Sequence, residues 1–471
     1  MMPTNTYSLL EIRRMFAQIF AKLFVIKIWI NYWFCLCRGA AVTTGLAFAQ
    51  WFVGHAVVDV LITYFTDSWK RDNLLKAVGI VNLLNGLSSV LVLAMTYVSE
   101  NHVSPLKVIV YSTAAYILGM VMLCISAFHS IPDDKTGMYF VPAVLLLSVG
   151  KSGGVPILEE FLVGQLTAHE PQLDKDEGRV NARKTLWWIT ASLLSALLTP
   201  KIFTNDNWLV KFICSTSVMG IGYLLFLCCI PLYHRSVDEA TATEISHASS
   251  KESINDGPAV CAGSLVEQWK PLSIMFPMWS TFLVFSLVLS TADTFFSEQG
   301  NNMHPTVSIY ILLMIRNIIS VSWRVEVRRL HAIAENGLCV KQNAVIPMSV
   351  MRLAPQFCLV GLMQGLGKRG LDLFYEVHVS DVAVGKYGSA LNEAVIGFGS
   401  LLNGLLVFLF KSWFRDTLNC SRLDKYYLML MVVSFGNMCY YGCVYSFYSN
   451  KKETKDDVEV EETGELNIEL V

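Results

Sequence analysis

Residues 107–128 read KVIVYSTAAYILGMVMLCISAF. After Lys107 the stretch has no charged side chain, and its apolar residues lack the alternation that marks a half-buried strand. About 20 residues of this kind form a helix long enough to cross the hydrocarbon core of a bilayer. Because backbone polar groups find no water in lipid, the stretch predicts a transmembrane helix.

Ten further stretches of the same kind occur along the chain. Of the 471 residues, 54% are hydrophobic and 16% are charged, too few charges to cover a soluble protein of this size. The sequence therefore predicts an all-α integral membrane protein with about 11 transmembrane helices. The further stretches are 40–65, 74–98, 138–162, 186–203, 208–233, 271–296, 305–323, 347–375, 384–413 and 423–448.

The stretches fall into two groups. Residues 39–234 form a predicted N-terminal bundle, residues 235–267 a polar cytoplasmic linker, and residues 268–449 an incomplete C-terminal bundle. This two-bundle layout is typical of major facilitator transporters. Residues 1–38 suit either an interfacial amphipathic helix or an extra span, and the sequence leaves both open. Residues 450–471 are acidic and predict a disordered tail.

The composition argues against several other classes of protein. The 12 cysteines include no Cys-x-x-Cys pair, and no set of residues has metal-ligand spacing. Gly150-Lys151-Ser152 lacks the upstream glycine of a phosphate-binding loop. A net charge of −2 does not predict nucleic-acid binding. We therefore expect a protein that is not an enzyme, binds no cofactor or metal, and has the lipid bilayer and a small-molecule solute as partners.

Five groups of residues, in order along the chain, resemble the plant nitrate/peptide transporter family, the PTR or proton-coupled oligopeptide transporter branch of the major facilitator superfamily. The resemblance implies a multi-pass carrier, in the plasma or the vacuolar membrane, that couples solute uptake to protons by alternating access. It implies nitrate, di- or tripeptides or hormone-like acids as solutes. The groups are Leu61-Ile62-Thr63-Tyr64-Phe65-Thr66; Asn181-Ala182-Arg183-Lys184 with Trp187-Trp188; Thr294-Phe295-Phe296 with Gln299-Gly300 and Met303; Pro347-Met348-Ser349 with Pro355-Gln356-Phe357; and Trp413-Phe414 with Leu418-Asn419 and Arg422-Leu423-Asp424.

The chain departs from the family pattern at its coupling positions. The first-helix motif E-x-x-E-R corresponds here to Ala47, Gln50 and Trp51. The lysine that follows a glycine pair in the fourth helix is replaced by Val155, and the glutamate of the tenth helix is replaced by Gln364. None of these side chains exchanges a proton in the physiological range. The resemblance therefore predicts altered or lost proton coupling.

Other ionisable residues could take over that role. His55 and Asp59 lie four residues apart, on one face of the first helix. Such a pair could exchange a proton near neutral pH, or it could simply satisfy two polar groups by a local hydrogen bond. Lys151 could supply the missing positive charge, or it could extend towards the membrane surface.

Further candidates for the substrate or proton pathway lie in the C-terminal half. Charged side chains inside a membrane are costly and mark ion or substrate pathways by default. Arg316 is either an anion contact or a sign that 305–323 is not a span. The C-terminal candidates are Asp293, Thr294, Phe295, Arg316, Gln364 and Glu393.

One helix of the family pattern is missing from the C-terminal half. The family has two helices between its seventh and tenth, whereas here only 305–323 is available. A single crossing there would invert every later helix, and the Lys/Arg distribution does not fix the orientation. Two functions stay open: a small-solute secondary transporter with altered coupling, or a non-transporting degenerate or regulatory relative.

Overall fold

The computed structural model describes residues 38–68, 74–128, 136–168, 177–203, 207–233, 270–301, 303–304, 346–379, 387–415, 418 and 421–468. These residues are almost entirely helical. Most of the predicted N-terminal segment, nearly all of the predicted linker and the predicted span 305–323 with Arg316 lie outside the described residues.

The N-terminal bundle follows the predicted stretches closely. A 3₁₀ turn at Val58–Val60 separates its first two helices. The helices are α1 (Arg38–Ala56), α2 (Leu61–Ser68), α3 (Leu74–Asn101), α4 (Pro105–Phe128), α5 (Thr136–Thr167), α6 (Glu177–Ile202) and α7 (Trp208–Cys228).

The C-terminal bundle begins with a 3₁₀ turn, Lys270–Met275, and contains a π-helical segment, Ala292–Phe296, between its first two helices. A second 3₁₀ turn, Val350–Leu353, follows a short strand. The elements are α8 (Phe276–Thr291), α9 (Ser297–Asn301), β1 (Met303–His304), β2 (Ile346–Ser349), α10 (Ala354–His378), α11 (Gly388–Leu409) and α12 (Leu423–Ile468).

The predicted all-helical membrane fold is confirmed. Within the described part of the chain, eight helical segments are long and apolar enough to cross a membrane. Helices α6 and α10, with 26 and 25 residues, have enough length to cross but carry more charged side chains. The count of about 11 helices is therefore supported only approximately.

Two predicted stretches differ from the structure in their backbone geometry. The stretch 40–65 is interrupted at Val57, where the helix tightens into a 3₁₀ turn. The stretch 347–375 becomes helical only at Ala354, because its first residues pair as β2 and then form a 3₁₀ turn. Continuous apolar composition predicts burial in lipid but does not locate such local changes of backbone geometry.

The predicted disordered tail also differs. Helix α12 continues to Ile468, so residues 450–468 are helical in the structure. Lys and Glu, which dominate this segment, are good helix formers. Extending an existing helix avoids the cost of nucleation, which explains how a polar tail can continue it.

Side-chain contacts show which helix ends lie together. At one end, called the linker end, Tyr448 donates a hydrogen bond from its hydroxyl to the carbonyl of Ile274, and Asn101 donates to the Tyr387 hydroxyl at 3.0 Å. The Cα of Gly39 also lies beside Tyr233 there. The starts of α1, α8 and α11 thus lie beside the ends of α3, α7 and α12.

The opposite end holds the other termini of these helices. Thr66 donates a hydrogen bond to Glu298 at 3.0 Å, joining α2 to α9. The rings of Phe296 and Phe357 lie 6.0 Å apart, which places the start of α10 beside the end of α8. Strands β1 and β2 pair in parallel at this end. Helices α10, α11 and α12 therefore alternate in direction without the inversion that a single crossing at 305–323 would cause.

The two bundles meet along α3 and α11. A Cβ at Gly397 would lie 2.7 Å from the carbonyl oxygen of Gly86, so the backbones approach as closely as two glycines allow. Nearer the opposite end, Asn403 donates a hydrogen bond to Asn82 at 3.4 Å. This contact between α3 and α11 is called the seam.

The first prediction concerns topology. Epitope tags placed in the linker and after Val471 should be accessible from the same, cytoplasmic side of the membrane, because α8 and α12 begin and end at the linker end. Antibody labelling of intact and permeabilised cells measures this. A tag between Arg415 and Arg422, at the opposite end, is the control. Labelling of the C-terminal tag from the side opposite to the linker tag would contradict the helix directions.

The second prediction concerns the seam. Gly397→Ala should lower the thermal stability of the purified protein, because the added methyl meets the backbone of Gly86 rather than a movable side chain. Overpacking of this kind typically costs about 1–3 kcal/mol. Gly365→Ala is the control, since its added Cβ meets nothing within 4 Å. Equal melting temperatures for the two variants would contradict the close approach.

Candidate functional site

The first membrane helix of each bundle is interrupted before its end. In the N-terminal bundle the 3₁₀ turn Val58–Val60 separates α1 from α2, and in the C-terminal bundle the π segment Ala292–Phe296 separates α8 from α9. Such interruptions in corresponding helices of two repeats are frequent at transporter binding sites. We take the residues beside these interruptions as the candidate site.

His55 lies just before the first interruption, and Asp59 lies within it. His55 Nδ1 is 3.1 Å from the Asp59 carboxylate, and the side chains are 27% and 30% exposed. The ring of Trp51 stacks on His55 with centroids 5.9 Å apart, and Trp188 meets Trp51 edge-on at 6.4 Å. In the described part of the chain, His55 Nε2 has no hydrogen-bond partner. One imidazole nitrogen is thus held by a carboxylate, and the other is buried.

The family's charged positions on α1 form an uncharged contact here. Ala47 and Gln50 are buried, and Gln50 donates a hydrogen bond to Thr113 at 3.5 Å. A Cβ at Gly154 would lie 2.7 Å from Gln50 Nε2, so residues 50 and 154 are direct neighbours. Val155, where the family has lysine, comes next in α5. Replacing the acids, the arginine and the lysine together leaves no uncompensated charge at this place.

Lys151 lies one helical turn before the Gly154 contact. Its ammonium donates a hydrogen bond to Asn85 of α3 at 2.9 Å. The adjacent Gly150 packs directly on the backbone of Tyr116, and Tyr116 lies within electrostatic range of Asp59. The predicted N-terminal candidates His55, Asp59 and Lys151 therefore belong to one region of the N-terminal bundle.

The three predicted site residues at the second interruption differ in how deeply their side chains are buried. Asp293 is half-buried. Thr294 and Phe295 are fully buried within the C-terminal bundle, where Thr294 donates to the Ser290 carbonyl at 2.9 Å and Phe295 stacks on Phe414 at 5.3 Å. These two side chains are occupied by packing, which does not favour the predicted contact with a solute.

The last candidates lie between α10 and α11. Glu393 accepts a hydrogen bond from Lys368 at 2.5 Å, and Gln364 is half-buried one turn before Lys368. Sequence reasoning missed Lys368 and its neighbour Asp372. Their spacing could have revealed them, because residues 364, 368 and 372 are each four apart and share one face of a helix.

The chain also matches known proteins. A family model described as PTR2, POT family, matches residues 106–247. Two proteins from Arabidopsis thaliana, Protein NRT1/PTR FAMILY 5.13 and Protein NRT1/PTR FAMILY 5.6, are 23% and 24% identical to the chain. The matches cover 84% and 86% of the chain and 90% of each relative. The chain is therefore similar to the POT family over residues 106–247 and to these two relatives over most of its length.

The fold of the chain is also similar to that of solved transporters. A crystal structure of the peptide transporter POT in complex with sulfate has a TM-score of 0.59, with 10% identity, over 87% of the chain and 95% of that protein. The POT family transporter PepTSo has a TM-score of 0.58, with 11% identity, over 86% and 98%. These likenesses show the fold. Both of these solved proteins are described as transporters.

The third prediction tests the packing of this site. Gly150→Ala should destabilise the protein more than Gly154→Ala, because a Cβ at 150 meets the backbone of Tyr116 whereas one at 154 meets the end of the Gln50 side chain. The difference should be on the order of 1 kcal/mol. Thermal unfolding of the two purified variants measures it. Adding Gln50→Ala should relieve the cost at 154 and not at 150, and relief at both positions would contradict the assigned contacts.

Proposed function

We propose that the chain is a secondary transporter of a small solute that works by alternating access, with coupling residues altered relative to its family. The observation that carries this proposal is the pair of interrupted first helices on either side of a seam between two bundles. Backbone interruptions at matching positions of two halves are typical of the substrate sites of secondary transporters.

Contacts between the bundles at the two ends of the molecule support alternating access. Asn101 and Tyr387 join the bundles at the linker end, and Thr66 and Glu298 join them at the opposite end. A hydrogen bond of this kind has a net worth of about 0.5–1.5 kcal/mol, or up to about 3 kcal/mol with a charged partner. Rocking about the seam could open one end while the other stays closed.

Lys151 supports an anionic solute. It is a half-buried cation inside a predicted span, and its ammonium donates a hydrogen bond to Asn85. Nitrate, a peptide carboxylate and a hormone-like acid each carry a group that an ammonium attracts. The neighbouring Trp51 and Trp188 rings provide an apolar surface for the rest of an organic solute.

The pair His55–Asp59 supports residual proton coupling. An imidazole beside a carboxylate gains or loses a proton within the physiological pH range when its surroundings change. Both side chains are partly exposed, so water or a solute can reach them. This pair is proposed to replace the acids lost at positions 47 and 50.

A non-transporting relative is the second candidate. The neutral contact between Gln50 and Gly154 favours it, because the packing there leaves no room for a solute. A chain of this kind would keep the family fold without the family activity.

The fourth prediction tests the proposed function. Cells that express the chain should take up labelled nitrate, dialanine or indole acetate faster than control cells, and faster at acidic than at neutral external pH. Asp59→Asn should keep the hydrogen bond to His55 but remove the pH response. Glu160→Gln, at an exposed position in α5, is the control.

The amount of each variant at the cell surface must be measured in the same cells. Absence of uptake of all three solutes despite surface expression would overturn the transport proposal in favour of a non-transporting relative. A variant that restores the family's charged residues would then show whether their replacement alone causes the absence of uptake. This variant carries Ala47→Glu, Gln50→Glu, Trp51→Arg and Val155→Lys.

A further inference from the structure

Four buried polar side chains join α3, α8, α11 and α12 at the seam. Asn403 of α11 lies at their centre, because its Oδ1 accepts hydrogen bonds from the Thr291 hydroxyl at 3.1 Å and the Tyr426 hydroxyl at 2.5 Å. Its amide nitrogen donates to Asn82 of α3 at 3.4 Å. We call these four residues the seam network. Its bond from Asn403 to Asn82 crosses from the C-terminal to the N-terminal bundle.

The seam network is closed off from solvent and lipid. Asn403 and Tyr426 are 0% exposed, Asn82 is 1% exposed and Thr291 is 2% exposed. A buried amide that loses its hydrogen-bond partner pays the full cost of its desolvation. The bonds of this network therefore have a larger effect on the position of the helices than hydrogen bonds at the surface.

The two amides of the network are held differently. Tyr426 is the more committed donor to Asn403, since the Thr291 hydroxyl also donates to the Leu287 carbonyl at 2.9 Å. Both donors belong to the C-terminal bundle and direct the amide nitrogen of Asn403 towards α3. In the described part of the chain, Asn82 Nδ2 has no hydrogen-bond partner. Separation of the bundles would therefore break the bond to Asn82 and leave Asn403 oriented by its own bundle.

The network lies on one side of the closest approach between the bundles. Asn82 comes four residues before Gly86 in α3, and Asn403 comes six residues after Gly397 in α11. At a rise of about 1.5 Å per residue these offsets are roughly 6 and 9 Å. Both are directed towards the opposite end, so the network is the first polar contact between the bundles on that side of the glycines.

The opposite end is also the more deeply closed of the two ends. Glu298, which accepts the hydrogen bond from Thr66, is 5% exposed. At the linker end Asn101, which donates to Tyr387, is exposed. The seam network and the buried contact between the bundles thus lie on the same side of the seam.

We propose that Asn403 is a positioning residue of the transporter: held by Tyr426 and Thr291, its amide binds Asn82 and keeps the opposite end closed. When the bundles rock about the seam, the bond to Asn82 breaks and the opposite end opens. Asn403 keeps its orientation and can form the bond again. The inference rests on the proposed function for this movement, but the effect of the bond on the opposite end is measurable without any solute.

A purely structural role for the network is the competing explanation. In that case the bond would stabilise the folded protein as a whole, and its loss would loosen both ends alike. A bond that holds one end closed has a different consequence, because its loss favours a state in which that end opens while the other closes. Amide hydrogen exchange at the two ends separates these explanations.

The experiment compares hydrogen exchange by mass spectrometry in the purified full-length chain and in Asn82→Ala. This change removes the acceptor and leaves the partners of Asn403 in its own bundle intact. We expect exchange in α2 and α9 to become roughly fivefold faster, the factor typical of one lost buried hydrogen bond. Exchange at the end of α3 and the start of α11, at the linker end, should stay the same or become slower.

Two further variants sharpen the comparison. Tyr426→Phe should act in the same direction as Asn82→Ala but more weakly, because Thr291 still holds the Asn403 carbonyl. Asn437→Ala is the matched control, since Asn437 donates to the Thr281 carbonyl at 3.1 Å within the C-terminal bundle. It should leave the ratio of exchange at the two ends unchanged.

Faster exchange at both ends in Asn82→Ala, or at neither, would overturn the proposal, as would the same asymmetry in Asn437→Ala. If Asn82→Ala does not fold, Tyr426→Phe replaces it and is judged by the same asymmetry. Absence of solute uptake together with selectively faster exchange at the opposite end would reject the proposed function while supporting the role of Asn403.

Discussion

The low dielectric of the membrane interior is the constraint on which the arrangement of this chain depends. A charge placed there needs a partner or water, and removing one member of a set leaves the rest uncompensated. The chain satisfies this constraint in two ways. Around Gln50 and Gly154 it lacks the family's acidic and basic residues together, so that only a neutral contact remains. Elsewhere it keeps charges beside a defined partner, as in Lys151 with Asn85 and Lys368 with Glu393.

The seam between α3 and α11 is the contact about which the two bundles, and the charged groups in them, could move relative to each other. At Gly86 and Gly397 the backbones of α3 and α11 are in direct contact. The bundles cannot slide past each other at this contact unless the two helices first separate. The polar contacts on either side, Asn82 with Asn403 and Asn101 with Tyr387, are single hydrogen bonds that can break and reform. A rigid crossing with weak contacts beyond it has the mechanical properties that rocking of two halves requires.

Sequence reasoning located the helices and the two halves because apolar length is a property of each segment alone. It identified His55 and Asp59 as neighbours because a spacing of four residues places two side chains on one face of a helix. The 3₁₀ turn that contains Asp59 does not break their contact. It did not find the pair Lys368–Glu393, since that contact depends on how α10 and α11 are rotated about their axes. The sequence also did not predict the burial of Phe295 against Phe414, because the resemblance placed residue 295 in a motif without showing which way its ring points.

The two polar regions differ in a way that suggests a division of roles. In the N-terminal bundle, His55 and Asp59 lie beside aromatic rings, and Lys151 of the same region donates a hydrogen bond to α3. In the C-terminal bundle, Lys368 donates a hydrogen bond to Glu393 and Asn392 donates one to Asp372, so the polar groups there join α10 to α11. The two regions lie on opposite sides of the seam, so a movement of one bundle can reach the other only through the contact between α3 and α11 and the hydrogen bonds beyond it.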